Sequence, residues 1–312
     1  RRVFPASEKA SDVTKALTRA LTEAGVSIRL NCRVESLRIA DGRCAGVETT
    51  DGEALDADAV ILATGGLSAP ATGSSGDGHR MAEATGHVLT PCRPSLSAVE
   101  TGADWPASLQ GLSLRNVRLT LRQGKRVLYD EQGEMLFTHF GISGPLTLEM
   151  SCHLPDDMKD CRLTLNLKPA LTPEQLDARL LRELTASPRK RLSSVMPSLL
   201  PASLAAIFPS LCGVDAETLC GQVSREARRE LCEGLRGLPI PIRGLRGLDE
   251  AIVTRGGVSV REVDPGTMAS RRLPGLYFAG ELLDVDAHTG GYNLQIAFST
   301  GRLAGESAAI QH

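Results

Sequence analysis

Leu273-Pro274-Gly275-Leu276-Tyr277-Phe278-Ala279-Gly280-Glu281, followed after a short acidic link by Thr289-Gly290-Gly291-Tyr292-Asn293-Leu294-Gln295-Ile296-Ala297-Phe298, decides how this chain folds. The pattern predicts a short buried strand, an acidic turn, a glycine pair and a helix from Leu294. A strand that stops at Gly280-Glu281 sets a carboxylate at its carboxyl end, where open α/β sheets bind their ligands. The Gly290-Gly291 pair lets backbone approach such a ligand closely. The helix after it aims free N–H groups at the same place and favours partial negative charge there.

Working outward, Ala59-Val60-Ile61-Leu62-Ala63 is a continuous apolar run ending in Thr64-Gly65-Gly66, the pattern of a strand buried on both faces of a parallel sheet. Upstream, Val13, Ala16, Leu17, Ala20, Leu21 and Ala24 recur at helical spacing, with Ser11 or Asp12 as the expected N-cap and Gly25 as the stop. Residues 27–30 then read as a strand, and 34–39, 44–49 and 53–57 as a three-stranded meander turned at Asp41-Gly42 and Asp51-Gly52. The glycine-rich segment 73–78 leads into a helix expected over 77–85. It lacks both the preceding strand and the Gly-Lys-Ser/Thr ending of a phosphate loop, so nucleoside triphosphate binding is not expected.

Between Ser95 and Lys168 the pattern changes to short alternating stretches, at 117–122, 126–129, 135–138 and 162–167, which predict a barrel or small sandwich. At Thr172-Pro173-Glu174-Gln175 an N-cap, a proline at the first helical position and a capping-box glutamine precede Leu176, Leu180, Leu181 and Leu184. Shorter helices are expected at 192–196, 202–208, 216–220 and 225–233, and the chain returns toward the sheet through 238–242 and 251–254. The expected fold class is therefore α/β: a discontinuous nucleotide-binding domain, residues 1–90 and 250–312, interrupted by a β-rich insertion, 91–170, and a helical one, 171–249.

Hydrophobic residues at 42% and charged residues at 23% of 312 describe a globular chain. A formal charge of −2 exerts no pull on nucleic acid or an anionic membrane, and 3% aromatics argue against base stacking. No apolar run reaches transmembrane length. Eight cysteines without a C-x-x-C pair read as buried thiols of a reducing cytoplasm, with neither disulfides nor a metal expected. Arg189-Lys190-Arg191 and the group Arg225, Arg228 and Arg229 read as solvated faces. The expected partner is a small-molecule substrate, with no nucleic acid and no membrane; nothing in the pattern specifies an oligomeric state.

Several motifs occur in one order: Arg2-Val3-Phe4-Pro5, the run from Val60 to Gly66, Thr72-Gly73-Ser74-Ser75-Gly76-Asp77-Gly78, Thr138-His139-Phe140-Gly141-Ile142-Ser143-Gly144-Pro145, Gly256-Gly257-Val258 and the terminal stretch. In them the chain resembles the BaiN-type bacterial NAD(P)/FAD-dependent oxidoreductases, the aminoacetone-oxidase-like flavoproteins. The resemblance implies bound FAD, NAD(P)H as reductant, and an organic substrate or oxygen as acceptor. It sets Ala63, Thr64, Gly65 and Gly66 over the pyrophosphate or ribityl chain and Val34 at the adenine. Glu281, in place of the more usual Asp, would meet a ribityl hydroxyl at the strand end with Gly280 beside it as a cofactor contact, and Asp284 or Asp286 would share the role unless they form a solvated acidic loop. Gly290, Gly291, Tyr292, Asn293 and Leu294 would meet the pyrimidine edge, where a reduced flavin carries negative charge.

The resemblance also sets His139 and Ser143 facing the ring from the β-rich insertion. With His288 they are the candidates for substrate contact or proton donation, although each has an ordinary reading as a hydrogen-bonded structural residue. A hydrolase elbow is rejected because Pro145 stands where G-x-S-x-G requires its closing glycine. The family opens on a G-x-G-x-x-G fingerprint, and none precedes Arg1 or occurs later, so a Rossmann-like domain incomplete at its N-terminus is expected. Two rivals remain. Fumarate-reductase or aspartate-oxidase-like flavoenzymes share the Ala-Thr-Gly-Gly turn but need a dense Arg/His clamp that is not seen here. The other rival is a non-catalytic domain that binds a partner through its helical insertion.

Overall fold

The first helix, α1 (Ala10–Glu23), begins just ahead of the expected cap in the computed structural model, which describes residues 3–310. Lys9 stands at the N-cap without a side-chain bond, and Asp12 lies inside the first turn, where its carboxylate takes the Ser7 hydroxyl and suits the helix dipole. Val13, Leu17 and Leu21 share a face but stay 41%, 48% and 43% exposed. Residues 27–30 are not a strand: Ile28 and Leu30 are exposed, and among the described residues no strand runs alongside to take their backbone bonds. The meander follows as β1 (Val34–Ala40), β2 (Arg43–Thr49) and β3 (Ala54–Asp56), antiparallel in that order. Asp41 and Gly42 make the first turn with φ of 50° and 74°, the left-handed pair a two-residue hairpin needs. Then come β4 (Val60–Leu62), α2 (Asp77–Ala84) and β5 (Leu89–Ser95).

Residues Pro94–Ala251 form a unit of their own. It contains β6 (Val99–Thr101), α3 (Trp105–Ser108), β7 (Ser113–Gln123), β8 (Arg126–Thr138), β9 (Gly141–Ser143), α4 (Pro145–Ser151) and β10 (Cys161–Asn166). The helices α5 (Pro173–Ala186), α6 (Leu192–Val195), α7 (Ala202–Leu211) and α8 (Arg225–Gly237) follow, then β11 (Leu238–Ile240) and β12 (Ile242–Leu245). The alternating stretches at 126–129 and 135–138 are one strand, β8, because its ladder with β7 runs through irregularities instead of ending at them. All pairings are antiparallel in a seven-stranded sheet ordered β11-β10-β7-β8-β9-β6-β12. Its first and last strands are separated in sequence only by Pro241, so the sheet must curl until its two ends meet there. The capping box at Thr172 and Gln175 forms as expected. No α-helix covers 216–220; a bridge from Leu219 to Arg191 takes up backbone that a helix would use, and only a 3-10 turn, Cys220–Gln222, follows. Leu119, Leu165, Phe137, Leu176, Leu180 and Phe208, fully buried, belong to one core shared by sheet and helices.

The second unit joins residues up to Arg93 with those from Ile252 onward. Its later elements are β13 (Val253–Val258), β14 (Leu276–Phe278) and α9 (Tyr292–Ile310), the last starting two residues earlier than expected. β14 pairs parallel with β4, Leu276 beside Val60, Tyr277 beside Ile61 and Phe278 beside Leu62, while β13 pairs with β5. Leu276, Tyr277, Phe278, Leu282 and Val258 are buried in its core with Leu62 and Met81.

Candidate functional site

Because β4 and β14 run parallel and in register, their carboxyl ends finish together, and Ala279 N–H still reaches the Leu62 carbonyl at 3.0 Å. The chain therefore leaves the sheet side by side as Ala63-Thr64-Gly65-Gly66 and Gly280-Glu281. Gly65 and Gly280 turn it there with φ of 76° and 72°, which other residues resist. Gly280 N–H donates to the Thr300 hydroxyl at 2.9 Å, which ties α9 to the strand end. Ahead of α9, Asn293 closes the 287–293 loop: its side-chain amide donates to the Ala287 carbonyl at 2.8 Å and accepts from the Ala287 N–H at 2.9 Å. That closure holds Gly290 and Gly291 at φ of 126° and 92°. Arg2 lies outside the described residues. Val3-Phe4-Pro5 and Thr289-Gly290-Gly291-Tyr292 both line a cavity of about 960 Å³, walled further by the apolar side chains of Leu294 and Phe298.

Glu281 is held by two other chain segments at once. Its Oε1 accepts from the Thr254 N–H at 2.6 Å and the Ser68 hydroxyl at 2.9 Å. The Thr254 hydroxyl accepts from the N–H groups of Leu67 and Ser68 at 2.7 and 2.9 Å and donates to Ser68 Oγ at 3.2 Å. Gly66 is glycine for a packing reason, since a Cβ there would lie 2.3 Å from Thr254 Oγ1 and 2.8 Å from Glu281 Oε1. Asp284 is engaged as well, accepting from the Thr90 hydroxyl at 2.6 Å, and Asp286 pairs with Arg255 at 3.5 Å. Val34 is half-buried at the start of β1, packed against the core; beside it Arg33 makes two 2.9 Å bonds to Asp77 in the first turn of α2.

Sequence patterns missed Ser68, Thr254 and the buried His79. His79 Nε2 lies 3.7 Å from the Cys92 thiol, and its Nδ1 is buried with no hydrogen-bond partner. Burial pushes the His79 pKa down, against the charge of Glu281, and pushes the Cys92 thiol up, with Asp284 adding to the rise. A thiol so shifted is a poor nucleophile.

A family described as the HI0933-like protein Rossmann domain matches residues 1–307. The chain belongs to this family. This HI0933-like chain is 31% identical over 310 residues to the 3-dehydro-bile acid delta(4,6)-reductase of Clostridium scindens, covering 98% of this chain and 75% of that protein. It is 29% identical over 294 residues to the ribosomal RNA dihydrouridine synthase of Escherichia coli, covering 94% and 70%. Its counterpart from Haemophilus influenzae is 32% identical over 245 residues, covering 77% and 58%. Among solved structures, the apo Sdh1 complex of Mycobacterium smegmatis aligns with a TM-score of 0.37 and 19% identity; the HI0933-like chain spans 44% of its length.

In the HI0933-like chain the expected cofactor contacts, Val34, Ala63 to Gly66, Gly280, Glu281, Asp284 and Gly290 to Leu294, all fall in the unit that contains β4 and β14. His288 is in that unit too, exposed ahead of the glycine pair. His139 and Ser143 belong to Pro94–Ala251. His139 opens the two-residue turn between β8 and β9, where Thr138 pairs with Gly141, and it stands edge-on to Phe140 at 4.9 Å. The Arg246 guanidinium lies 4.7 Å from the Phe140 ring centre and is held by Glu100 at 2.6 Å and by Glu250. Ser143 is half-buried on β9 opposite Leu136, and Pro145 opens α4.

Proposed function

We propose that this HI0933-like chain serves an FAD-dependent oxidoreductase that passes hydride from NAD(P)H, through the flavin, to an organic substrate or oxygen. The observation that carries the reading is the pairing of β4 with β14, which brings a glycine turn and a carboxylate to one sheet end beside the glycine-rich entry to α9. The residues fit a flavin. Apolar side chains and glycine backbone line the cavity of about 960 Å³, and beyond its own chain neighbours nothing lies within 4 Å of where a Gly291 Cβ would stand. When bound, the flavin supplies two-electron hydride chemistry. The chain would hold it through the backbone of Thr64, Gly65 and Gly66, the Glu281 carboxylate and the N-terminal N–H groups of α9, which favour negative charge on the pyrimidine edge.

The relatives' names support a reduction. A 3-dehydro-delta(4,6) steroid and a uridine both present a C=C bond conjugated with a carbonyl group, and we take an activated alkene of that type, in a small molecule, as the substrate class. His139, Ser143 or His288 would donate the proton that balances hydride addition. Two relatives named for ribosomal RNA favour a second reading, a uridine within RNA, against which stands the net charge of −2. We further propose that residues 1–90 and 250–312 hold the cofactor and that 91–170 and 171–249 are insertions into that domain. The eight cysteines include no C-x-x-C pair, and we take a reducing cytoplasm as the compartment; among the described residues no helix is long and apolar enough to cross a membrane.

The test is flavin content. The full-length protein is expected to purify with non-covalent FAD, measured by absorbance after denaturation. Gly291→Val is expected to lose it while the fold remains, because a branched residue is strained at a φ of 92° and fills the cavity lining. Undiminished flavin in a folded Gly291→Val protein would move the site elsewhere.

A further inference from the structure

The carboxylate of Glu281 is not merely near the sheet end; its orientation is set by a hydroxyl chain of fixed polarity. Thr254 Oγ1 accepts two backbone N–H groups, at 2.7 and 2.9 Å, so its own proton is directed to Ser68 Oγ. Ser68 then directs its proton to Glu281 Oε1, the oxygen that also takes the Thr254 N–H. Both donors meet the same oxygen. Thr254 is 0% and Ser68 6% exposed, so both hydroxyl groups are buried. Gly66 leaves the space in which this happens, as a Cβ there would press on Thr254 and Glu281 together.

We propose that Ser68 and Thr254 are positioning residues for the cofactor: by occupying Oε1 they turn Oε2 of Glu281 toward a hydroxyl group of the bound flavin nucleotide. The inference rests on the flavin reading given above and deepens it. A hydroxyl pair that only stitched the fold together would have no reason to end on a carboxylate at the ligand end of two parallel strands. Backbone carbonyls would serve equally well.

The experiment measures FAD dissociation constants for the flavin-free full-length protein by titration with FAD, with the thermal midpoint of each flavin-free variant recorded beside them. Ser68→Ala is expected to weaken FAD by about tenfold, the loss that follows when a hydrogen bond to a charged group goes slack. Ser68→Thr, which keeps the hydroxyl, is expected to restore most of it. In a Glu281→Ala background the Ser68→Ala change is expected to cost less than about twofold, because nothing is left to position. Thr254→Val is expected to match Ser68→Ala in affinity; should it not fold, the Ser68 cycle carries the test alone. Equal losses in both backgrounds, or a Ser68→Ala protein that binds FAD like the wild type, would overturn the inference and leave the flavin reading standing. A wild-type protein that binds no FAD would overturn the flavin reading, and the inference with it.

Discussion

Both units of this HI0933-like chain bury hydroxyl groups, but they use them differently. In Pro94–Ala251 the Ser97 hydroxyl donates to the Arg246 carbonyl at 2.9 Å and the Ser151 hydroxyl to the Leu148 carbonyl at 2.7 Å. Those bonds end on backbone and close seams around a core of leucine, phenylalanine and methionine. In the unit containing β4 and β14 the chain from Thr254 through Ser68 ends on a carboxylate, and the turns around it are glycines held at positive φ. One unit spends its sequence on packing and the other on holding polar groups in fixed directions. A buried polar chain whose members are all satisfied fixes the direction of the group on which it ends.

The largest effect that could break this contrast is at His139, one of the three candidate proton donors, in the packing unit. His139→Ala is expected to slow substrate-dependent oxidation of the reduced flavin by ~10²–10⁴-fold while flavin content stays at the wild-type level. Single-turnover absorbance of the flavin measures it. A loss below about threefold would make His139 only a turn residue edge-on to Phe140, and Ser143 or His288 would be tested next. Next in size is Phe137→Ala. Phe137 is 0% exposed in the core of Pro94–Ala251, and truncating such a side chain costs ~3–5 kcal/mol. Trp105, the single tryptophan, lies 5.8 Å from the Phe137 ring, so its fluorescence reports this unit's denaturant midpoint. If flavin per folded molecule fell with the midpoint, packing and cofactor binding would not be separable in the way the two units suggest.

The parts of this fold that were legible in the sequence are those set by neighbours along the chain. Thr172 and Gln175 form their capping box three residues apart, and Asp41-Gly42 turns its hairpin with its own two φ angles. The apolar runs at 60–62 and 276–278 announced strands that pair with each other, but only 276–278 is fully buried; Val60 is half-buried and Ile61 37% exposed. Residues 27–30 look like a strand by the same local signal but find no neighbour among the described residues, because strand formation depends on a partner that local sequence does not contain. The link between β11 and β12 was read as one stretch, whereas Pro241, which has no N–H to give a ladder, divides two strands bound to opposite ends of the sheet. The Glu281 carboxylate was visible as a strand-end acid. Its bracket was not, since Ser68 lies 213 residues away and no periodicity marks a lone serine or threonine.

The smallest expected effect concerns pH and again separates the units. Among the described residues both buried histidines, His79 and His87, lie outside Pro94–Ala251. His87 Nε2 meets Ser270 Oγ at 2.7 Å, and that oxygen already accepts the N–H groups of Arg272 and Leu273, so its own proton points at the ring. Nε2 is therefore an acceptor, and Nδ1–H faces the Thr85 hydroxyl oxygen at 2.9 Å and the Ala82 carbonyl at 3.2 Å: the neutral form fits and the cation does not. Burial accordingly lowers the pKa of His87, and of His79, below the ordinary histidine value. With the folded pKa lowered, the unfolded chain binds the extra protons first. Stability is then full above the unfolded value, about 6.5, and is lost as pH falls from there toward the folded values. Each histidine contributes a slope of at most about 1.4 kcal/mol per pH unit. Hydrogen exchange of β4 and β14 amides between pH 7.5 and 5.5, corrected for intrinsic rates, should show protection falling on acidification, and less steeply in His87→Gln. Protection free energies that stay level over that range, or fall equally in β7 and β8, would remove the histidines as the source of the difference.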